Sequence, residues 1–376
     1  MTGDPAGTRG IRAMAMEEYG TEPAEAGPRE TEAALRRLAD VALLPGSLTS
    51  PQERSILDSV LAYAVARLDA TMRLRLAERL APQADAPREL ALALALDDIE
   101  IATPLLTDGL PLKDGDLIQI ARDGTDEHRL LIATRRDLSS AVADVLIETG
   151  DSRLIETLLA NRTADLSYRA IETLVRRSAA EPEFQAPLLA RPELSVRLAQ
   201  LMFWWVPPAM RLEILNRFTV ERRHIHSAME DMLDGRLADT ALDIALSVVR
   251  RPRTVDKRRL AHMLGNGPAA RAEELAADLA AEANIRPETM FRILKDHSSE
   301  PLSVFAKAVG MNRKEFGDLI VAAVDMRKGV GLPAKADLER IGELFDTIST
   351  DRADLALHCW DTGLANEVLA NGGADD

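Results

Sequence analysis

The sequence predicts an all-α protein, a solenoid of helical hairpins followed by a C-terminal helical domain. Four leucines recur every 28 residues, and each precedes a residue that can open a helix; they are Leu110, Leu138, Leu166 and Leu194. An interval of 28 residues holds two helices of about ten residues and two tight turns. Neither helix of such a pair buries its apolar stripe alone, so neighbouring units are expected to stack.

The composition favours helices with an aliphatic core. Hydrophobic residues make up 46% of the chain, but aromatic residues only 3%. Alanine, leucine and arginine dominate, and side chains without a branch at Cβ lose little rotamer freedom in a helix. No strand pattern accompanies them.

The chain begins with a predicted mobile tail over residues 1–28, which are rich in glycine, proline and glutamate. Helical periodicity starts at Arg29. A second helix is expected to begin at Pro51, because proline suits the first helical turn, and a third is expected to end before Pro82. Two further apolar runs lie between Pro87 and Leu106, separated by Asp97 and Asp98.

Within the repeats, several positions are expected to point inward at the same offset. One set is Leu117, Val145, Thr173 and Leu201. The next residue along the chain forms a second set, Ile118, Leu146, Leu174 and Met202. The four recurring leucines are expected to belong to the buried core. Gly124 and Gly150 mark a turn inside two units, where a left-handed residue would end a helix.

The repeat pattern breaks at Trp204 and Trp205, which precede two prolines. We interpret this pair as an aromatic plug that caps the core. The alternative is an exposed partner anchor, since tryptophan is enriched at binding hot spots. Helices without a fixed period follow. The predicted organisation is a mobile tail (1–28), a helical-repeat solenoid (29–206), a C-terminal helical domain (209–370) and a second mobile tail (371–376).

Charge and cysteine usage exclude several classes of protein. The net charge is −15, so the average surface repels nucleic acid and anionic membranes. Cys359 is the only cysteine, which excludes an internal disulfide and a cysteine-rich metal site. No signal peptide or membrane-spanning stretch is found. A soluble cytoplasmic protein is therefore expected.

Several short phrases resemble a known family. They are Ala86-Pro87, Leu94-Ala95-Leu96-Asp97, Val142-Ala143-Asp144-Val145-Leu146 and Leu158-Leu159-Ala160-Asn161. Together they resemble the alphaproteobacterial domain-of-unknown-function family 2336, whose members look like HEAT or leucine-rich-variant helical repeats. The likeness covers residues 29–320. It implies a HEAT-like α-solenoid and a bacterial cytoplasmic protein with a regulatory role, and it supplies no catalytic residues.

A basic cluster stands out on the acidic chain. Six cations fall within ten residues, at Arg250, Arg251, Arg253, Lys257, Arg258 and Arg259. Arginine forks bind phosphate or carboxylate groups, so the cluster is a candidate site for an anionic partner. The alternative is a solvated turn and helix start, balanced by Asp243 and Asp256.

A helical hairpin over residues 302–320 resembles a helix-turn-helix reader of DNA. Ala306 would pack under the second helix and Gly310 would make the turn. The residues that would face the major groove are Asn312, Arg313 and Lys314. Glu315 and Asp318 on the same helix disfavour DNA reading, and any hairpin with a glycine turn shares this spacing.

A metal site has little support in the sequence. Glu221 and His224 form one Glu-x-x-His motif, but a di-iron bundle uses two. His226 points to another face, so surface histidines are expected. We predict no catalytic residue, no metal ligand and no cofactor.

The sequence thus favours a non-enzymatic protein-interaction, scaffold or regulatory module whose partner is a protein or peptide. The first alternative is a DNA-binding regulator that uses residues 302–320. The second is a metal-dependent enzyme in the C-terminal domain.

Overall fold

The computed structural model describes residues 51–219, 256, 272–327 and 333–371. Within these ranges the chain forms 18 α-helices, two 3-10 turns and no strand. The predicted all-α class is confirmed. The helix expected from Arg29 and the predicted tail over residues 1–28 lie outside the described residues.

Two compact units divide the chain, Met1–Ser167 and Tyr168–Asp376. This division falls inside the predicted repeat region, and the domain boundary expected at 206–209 stays a prediction. The described helices of the first unit are α1 (Pro51–Ala64), α2 (Ala70–Leu80), α3 (Arg88–Ala95), α4 (Ile99–Asp108), α5 (Asp114–Asp123), α6 (Asp126–Ala133), α7 (Ser140–Thr149) and α8 (Ser152–Ala160). The 3-10 turn Val65–Arg67 follows α1.

Helices of the first unit pack in two rows. Each of α1 to α6 contacts the helix two positions further along, so α1, α3, α5 and α7 form one row and α2, α4, α6 and α8 the other. The rows meet through pairs such as α5 with α6 and α7 with α8. This order of contacts is typical of stacked helical hairpins, in which each pair buries its apolar stripe against its neighbours.

Short polar side chains fix where several of these helices begin. Asp69 caps α2 by accepting a hydrogen bond from the Met72 amide at 2.9 Å. Asp151 does the same for α8 through the Leu154 amide, also at 2.9 Å. Such caps satisfy amides that have no partner within the helix. The helix α2 ends at Leu80, before Pro82 as the sequence predicts.

Side chains from one hairpin also cap the ends of helices in the hairpin before it. Arg135, which follows α6, donates to the carbonyl oxygens of Leu105 and Leu106 at 3.0 Å and of Gly109 at 2.9 Å, at the end of α4. Asn161, which follows α8, donates to the Ala133 carbonyl at 2.8 Å, at the end of α6. Carbonyls that lack a helical partner are therefore satisfied by the next unit.

The four leucines that recur every 28 residues, here called the leucine ladder, are buried at three of their four positions. Leu138, Leu166 and Leu194 are 2%, 6% and 5% exposed, but Leu110 is 60% exposed, so the expectation for Leu110 was wrong. The cause is a local shift: α5 begins at Asp114 with Lys113 as its N-cap residue, two residues later than the 28-residue interval requires. Leu112, 5% exposed, takes the buried place instead.

The inward positions follow the 28-residue offset only in part. Leu117, Val145, Leu146, Leu174 and Met202 are buried, whereas Ile118 and Leu201 are half-buried and Thr173 is exposed. Thr173 was therefore assigned wrongly. The helix that carries it buries a narrower arc than α7 does, and position 173 lies outside that arc.

Neither turn glycine adopts a left-handed conformation, which corrects the expectation for both. Gly124 has φ −80° and Gly150 has φ −96°. Gly150 is required by close packing instead: a Cβ there would lie 2.3 Å from Leu154 Cδ2 and 2.6 Å from the Leu146 carbonyl oxygen. The chain can approach the start of α8 this closely only without a side chain.

We expect Gly150→Ala to lower the free energy of unfolding by about 1–3 kcal/mol, because the added methyl group overlaps a side chain and a backbone oxygen. Gly115→Ala is the matched control, since a Cβ at Gly115 on α5 would meet nothing within 4 Å. That change should raise stability by about 0.5 kcal/mol. Urea denaturation measures both, and equal effects would contradict the packing at Gly150.

The described helices of the second unit are α9 (Tyr168–Arg177), α10 (Gln185–Ala190), α11 (Val196–Met202), α12 (Pro208–Arg217), α13 (Ala272–Ala283), α14 (Pro287–Lys295), α15 (Glu300–Ala308), α16 (Arg313–Met326), α17 (Lys335–Thr347) and α18 (Thr350–Asn371). The 3-10 turn Pro182–Phe184 precedes α10. The central helix is α18, which packs against α11, α12, α14 and α15. It places α11 and α14 around one end of a shared core.

Two polar networks hold α12 and α14 in place. Arg211 on α12 is buried and donates to Ser298 Oγ at 2.6 Å, and it pairs with Asp296 and Glu300 at 3.3 Å each. Asp361 on α18 accepts from the Arg286 amide at 2.9 Å, just before α14. Because these groups are largely shielded from water, their loss would leave charges unpaired.

Candidate functional site

The tryptophan pair at 204–205 joins an aromatic cluster within the second unit. Phe203 and Trp360 are 0% and 2% exposed, and their ring centroids lie 4.7 Å apart. The Trp204 ring lies 5.1 Å from that of Trp360. Trp360 Nε1 donates to Gln200 Oε1 at 3.1 Å, which satisfies the indole in the core. The cluster therefore ties α11 to α18.

Trp204 and Trp205 themselves are half-buried. Trp205 Nε1 donates to Ser178 Oγ at 2.9 Å. Trp204 packs on the core with one part of its ring and reaches the surface with another. Both residues therefore contribute to core packing, and their predicted role as a partner anchor stays a prediction.

A pocket opens beside Trp204, among α9, α11, α14 and α18. It is a small pocket that opens to solvent, and its enclosed space of about 20 Å³ holds about one water molecule. Three arginines line it: Arg176 from α9, Arg197 from α11 and Arg292 from α14. Of the described lining residues, Glu172 is the only acidic one. We call this the arginine pocket.

Each arginine is held differently. The Arg292 guanidinium carbon lies 4.3 Å from the Trp204 ring centroid, so the aromatic face orients it. Arg176 pairs with Glu172 one helical turn away, at 3.2 Å. It also lies in the last turn of α9, where the helix dipole favours a cation. Arg197 is exposed and has no ion-pair partner among the residues that the structure describes.

Part of the pocket lining belongs to the buried core. Leu198, Gln200 and Trp360 are each at most 2% exposed. Cys359 also lines the pocket, and burial raises the pKa of its thiol. The thiol is therefore neutral near pH 7 and is a weak nucleophile. Since it adds no negative charge, the pocket keeps its excess of cations.

The pocket was not predicted from the sequence. Its arginines come from three helices and share no spacing that a motif could capture. The only signal was Trp204, which the break in the repeat pattern identified. Arg176, Arg197 and Arg292 line one pocket only after α11 and α14 both pack against α18.

The hairpin considered for DNA reading is present. Gly310 separates α15 from α16 and adopts a left-handed conformation, with φ +74°. Asn312 is the N-cap of α16 and accepts hydrogen bonds from the Lys314 and Glu315 amides at 2.9 and 3.0 Å. Its side chain is therefore engaged in capping.

The other two residues of that hairpin are exposed. Arg313 forms an ion pair with Asp346 on α17, and Lys314 points to solvent. Both cations stand beside acidic residues, which weakens the attraction for a phosphate backbone. DNA reading by Asn312, Arg313 and Lys314 stays a prediction.

Two other candidate sites lie outside the described residues. They are the basic cluster (Arg250, Arg251, Arg253, Lys257, Arg258 and Arg259) and the motif of Glu221, His224 and His226. Among the described residues, no group of three or more histidine, cysteine, aspartate or glutamate side chains is arranged to hold a metal ion. His128 is a buried structural residue, with Nε2 2.9 Å from the Asp97 carbonyl oxygen.

The chain was also compared with known proteins. A family model described as an uncharacterised protein conserved in bacteria (DUF2336) matches residues 101–358, more than half of the chain. The chain belongs to this family. The DUF2336 match begins within α4 and ends within α18, and it includes all three pocket arginines. No curated protein and no solved structure matches the chain.

The matched region confirms the resemblance to this DUF2336 family, whose description assigns no activity. Among the residues described, no helix combines the length and the apolar character that crossing a bilayer requires.

Proposed function

We propose that the protein is a non-enzymatic, HEAT-like interaction or scaffold module of the bacterial cytoplasm, and that its arginine pocket binds an acidic segment of a partner protein. The observation that carries this proposal is the set of three arginines around Trp204 with a single acidic residue. Arginine and tryptophan are the residue types most enriched at binding hot spots.

The charge of the whole chain supports this assignment. The formal net charge is −15, so a local excess of cations is unusual on this surface. An acidic segment would be repelled by most of the protein and attracted at the pocket. This contrast favours one orientation of the partner over others.

The geometry of the pocket also suits side-chain recognition. The Arg292 guanidinium is already oriented by Trp204, and the base of the pocket is packed. Less conformational entropy is lost on binding when the receiving groups are ordered beforehand.

We expect Arg197→Glu to abolish binding of the main partner protein without loss of folding, because the exposed side chain would then repel acidic groups. Co-purification of the tagged full-length protein from its own bacterium, followed by quantitative mass spectrometry, measures this loss. Cross-linking would place the bound partner segment at the pocket, and that segment should be acidic.

Arg169→Glu is the matched control. Arg169 is an exposed arginine of the same unit, lies on α9 and does not line the pocket. It should retain the partner. If the partner still co-purifies with the Arg197→Glu variant, or if it cross-links elsewhere on the protein, recognition at this pocket is ruled out.

A further inference from the structure

We infer that the exposed face of α1 is the contact surface of a homodimer, in which a second copy of this chain packs antiparallel against it. The face carries Glu53, Ile56, Val60, Tyr63 and Arg67, here called the α1 stripe. The stripe belongs to the first unit and the arginine pocket to the second, so the inference does not depend on the proposed function.

Three residues of the α1 stripe are large, apolar and exposed. Ile56 is 67% exposed, Val60 47% and Tyr63 68%. No other helix among the described residues carries more than one exposed large apolar side chain. Single exposed apolar residues are common on protein surfaces, whereas a contiguous group of them marks a place of interaction.

The spacing of the stripe is that of a contact between two helices. Intervals of three, four, three and four residues separate its five members. This alternation defines the a and d positions of a heptad, which form one row along a helix that faces a partner helix. Arg67 belongs to the 3-10 turn after α1 and keeps to this row, since its guanidinium carbon lies 5.4 Å from the Tyr63 ring centroid.

The opposite face of α1 is held by the rest of the first unit. Leu61 and Val65 are 3% and 5% exposed, and α1 packs against α3. The Asp58 carboxylate accepts hydrogen bonds from the Glu89 and Leu90 amides at 3.0 and 2.9 Å, at the start of α3. An isolated helix of this length is marginally stable in water, but α1 is ordered before it meets a partner. Little further entropy is therefore lost when a second helix binds.

Charges at the two ends of the stripe select both the partner and its orientation. Glu53 lies seven residues before Val60, and Arg67 lies seven residues after it. In an antiparallel pair centred on Val60, Glu53 of each copy faces Arg67 of the other, and Ile56 faces Tyr63. In a parallel pair each charge would face its own kind. The stripe is thus complementary to itself about a two-fold axis, as the interface of a symmetric dimer must be.

Sedimentation equilibrium of the full-length protein tests the inference. A reversible equilibrium between monomer and dimer is expected, with a dissociation constant in the micromolar range, because a contact of this size belongs to the small and transient interfaces. If the protein sediments as a monomer at every concentration up to hundreds of micromolar, the inference is overturned. That result is expected if another segment of the chain or a different protein occupies the stripe.

Val60→Asp locates the interface at the centre of the stripe. The change should weaken dimerisation by about tenfold or more, because it places two like charges on the two-fold axis. Leu110→Asp is the matched control: Leu110 is also apolar and is 60% exposed, but it lies outside the stripe. It should leave the dissociation constant unchanged. Circular dichroism checks that both variants fold, and undiminished dimerisation of folded Val60→Asp would place the interface elsewhere.

Charge reversal tests the antiparallel order. Glu53→Arg and Arg67→Glu should each weaken the dimer about threefold at low ionic strength, since each then brings two like charges together. The double variant should recover the affinity, because the pairs are opposite in sign again. Single changes that leave the affinity unaltered would contradict the antiparallel order, because in a parallel dimer neither change alters the sign of any pair.

Disulfide cross-linking gives a readout that does not depend on affinity. The variants are made in a Cys359→Ser background, which removes the only native cysteine. Val60→Cys should form a covalent dimer when oxidised by copper phenanthroline, because the two copies meet at this residue and a disulfide needs close approach. Ser55→Cys is the control, since Ser55 is exposed on α1 but lies off the stripe. Cross-linking of Ser55→Cys as fast as that of Val60→Cys would overturn the assigned interface.

Discussion

Replacing Leu138 or Leu166 by aspartate is expected to lower the free energy of unfolding by about 4 kcal/mol or more, because each change places a charge in an apolar site without a partner. The two leucines are 2% and 6% exposed. Each lies directly before a helix of the repeat region, so the charge would enter the contact between neighbouring helices. Thermal and urea denaturation of the purified variants measure the effect.

Leu110→Asp is the matched control, since Leu110 belongs to the same ladder but is 60% exposed. Its effect should be within about 0.5 kcal/mol, as for most surface substitutions. Leu112→Asp, at the residue that replaces it in the core, should behave like Leu138→Asp. If Leu110→Asp proves as harmful as Leu138→Asp, the shifted register of α5 is wrong.

Trp360→Ala is expected to destabilise the second unit by about 3–5 kcal/mol, because it removes a large buried ring and leaves a cavity. The ring is 2% exposed and contacts both Phe203 and Trp204. The change also leaves Gln200 Oε1 without its indole donor. Loss of near-ultraviolet circular dichroism and a lower melting temperature would report it.

Trp205→Phe provides the comparison. Trp205 is half-buried, and its hydrogen bond to Ser178 is the main interaction that phenylalanine cannot replace. The cost should be about 1 kcal/mol. If Trp205→Phe lowers the free energy of unfolding more than Trp360→Ala does, Trp360 is not the centre of the aromatic cluster.

Local sequence patterns predicted the helices well, because the signals that define a helix lie within the helix and its caps. The two apolar runs expected between Pro87 and Leu106 agree closely with α3 and α4. Burial at single positions was harder to predict. Leu110 and Thr173 matched the repeat interval, but a shifted N-cap at Lys113 and a narrower buried arc on α9 placed both at the surface.

The candidate site depended on packing between distant segments, which a sequence pattern does not show. Arg176 and Arg292 are far apart in the chain and line the same pocket because α9 packs against α11, and α11 and α14 both pack against α18. Trp204 could be singled out as a break in the repeats, but its contact with Arg292 could not. The residues considered for DNA reading show that a motif match alone does not define a site. Asn312 fits the helix-turn-helix spacing, but its side chain caps a helix.

The caps that Arg135 and Asn161 provide have a consequence for the cooperativity of the first unit. Each hairpin supplies hydrogen-bond donors to the helix end of the hairpin that precedes it. Opening of α8 would therefore withdraw Asn161 from α6, and opening of α6 would withdraw Arg135 from α4. Opening of α6 equally removes the acceptor of Asn161, so each cap couples two neighbouring hairpins in both directions. These polar caps therefore add to cooperativity along the rows beyond the contact of apolar faces.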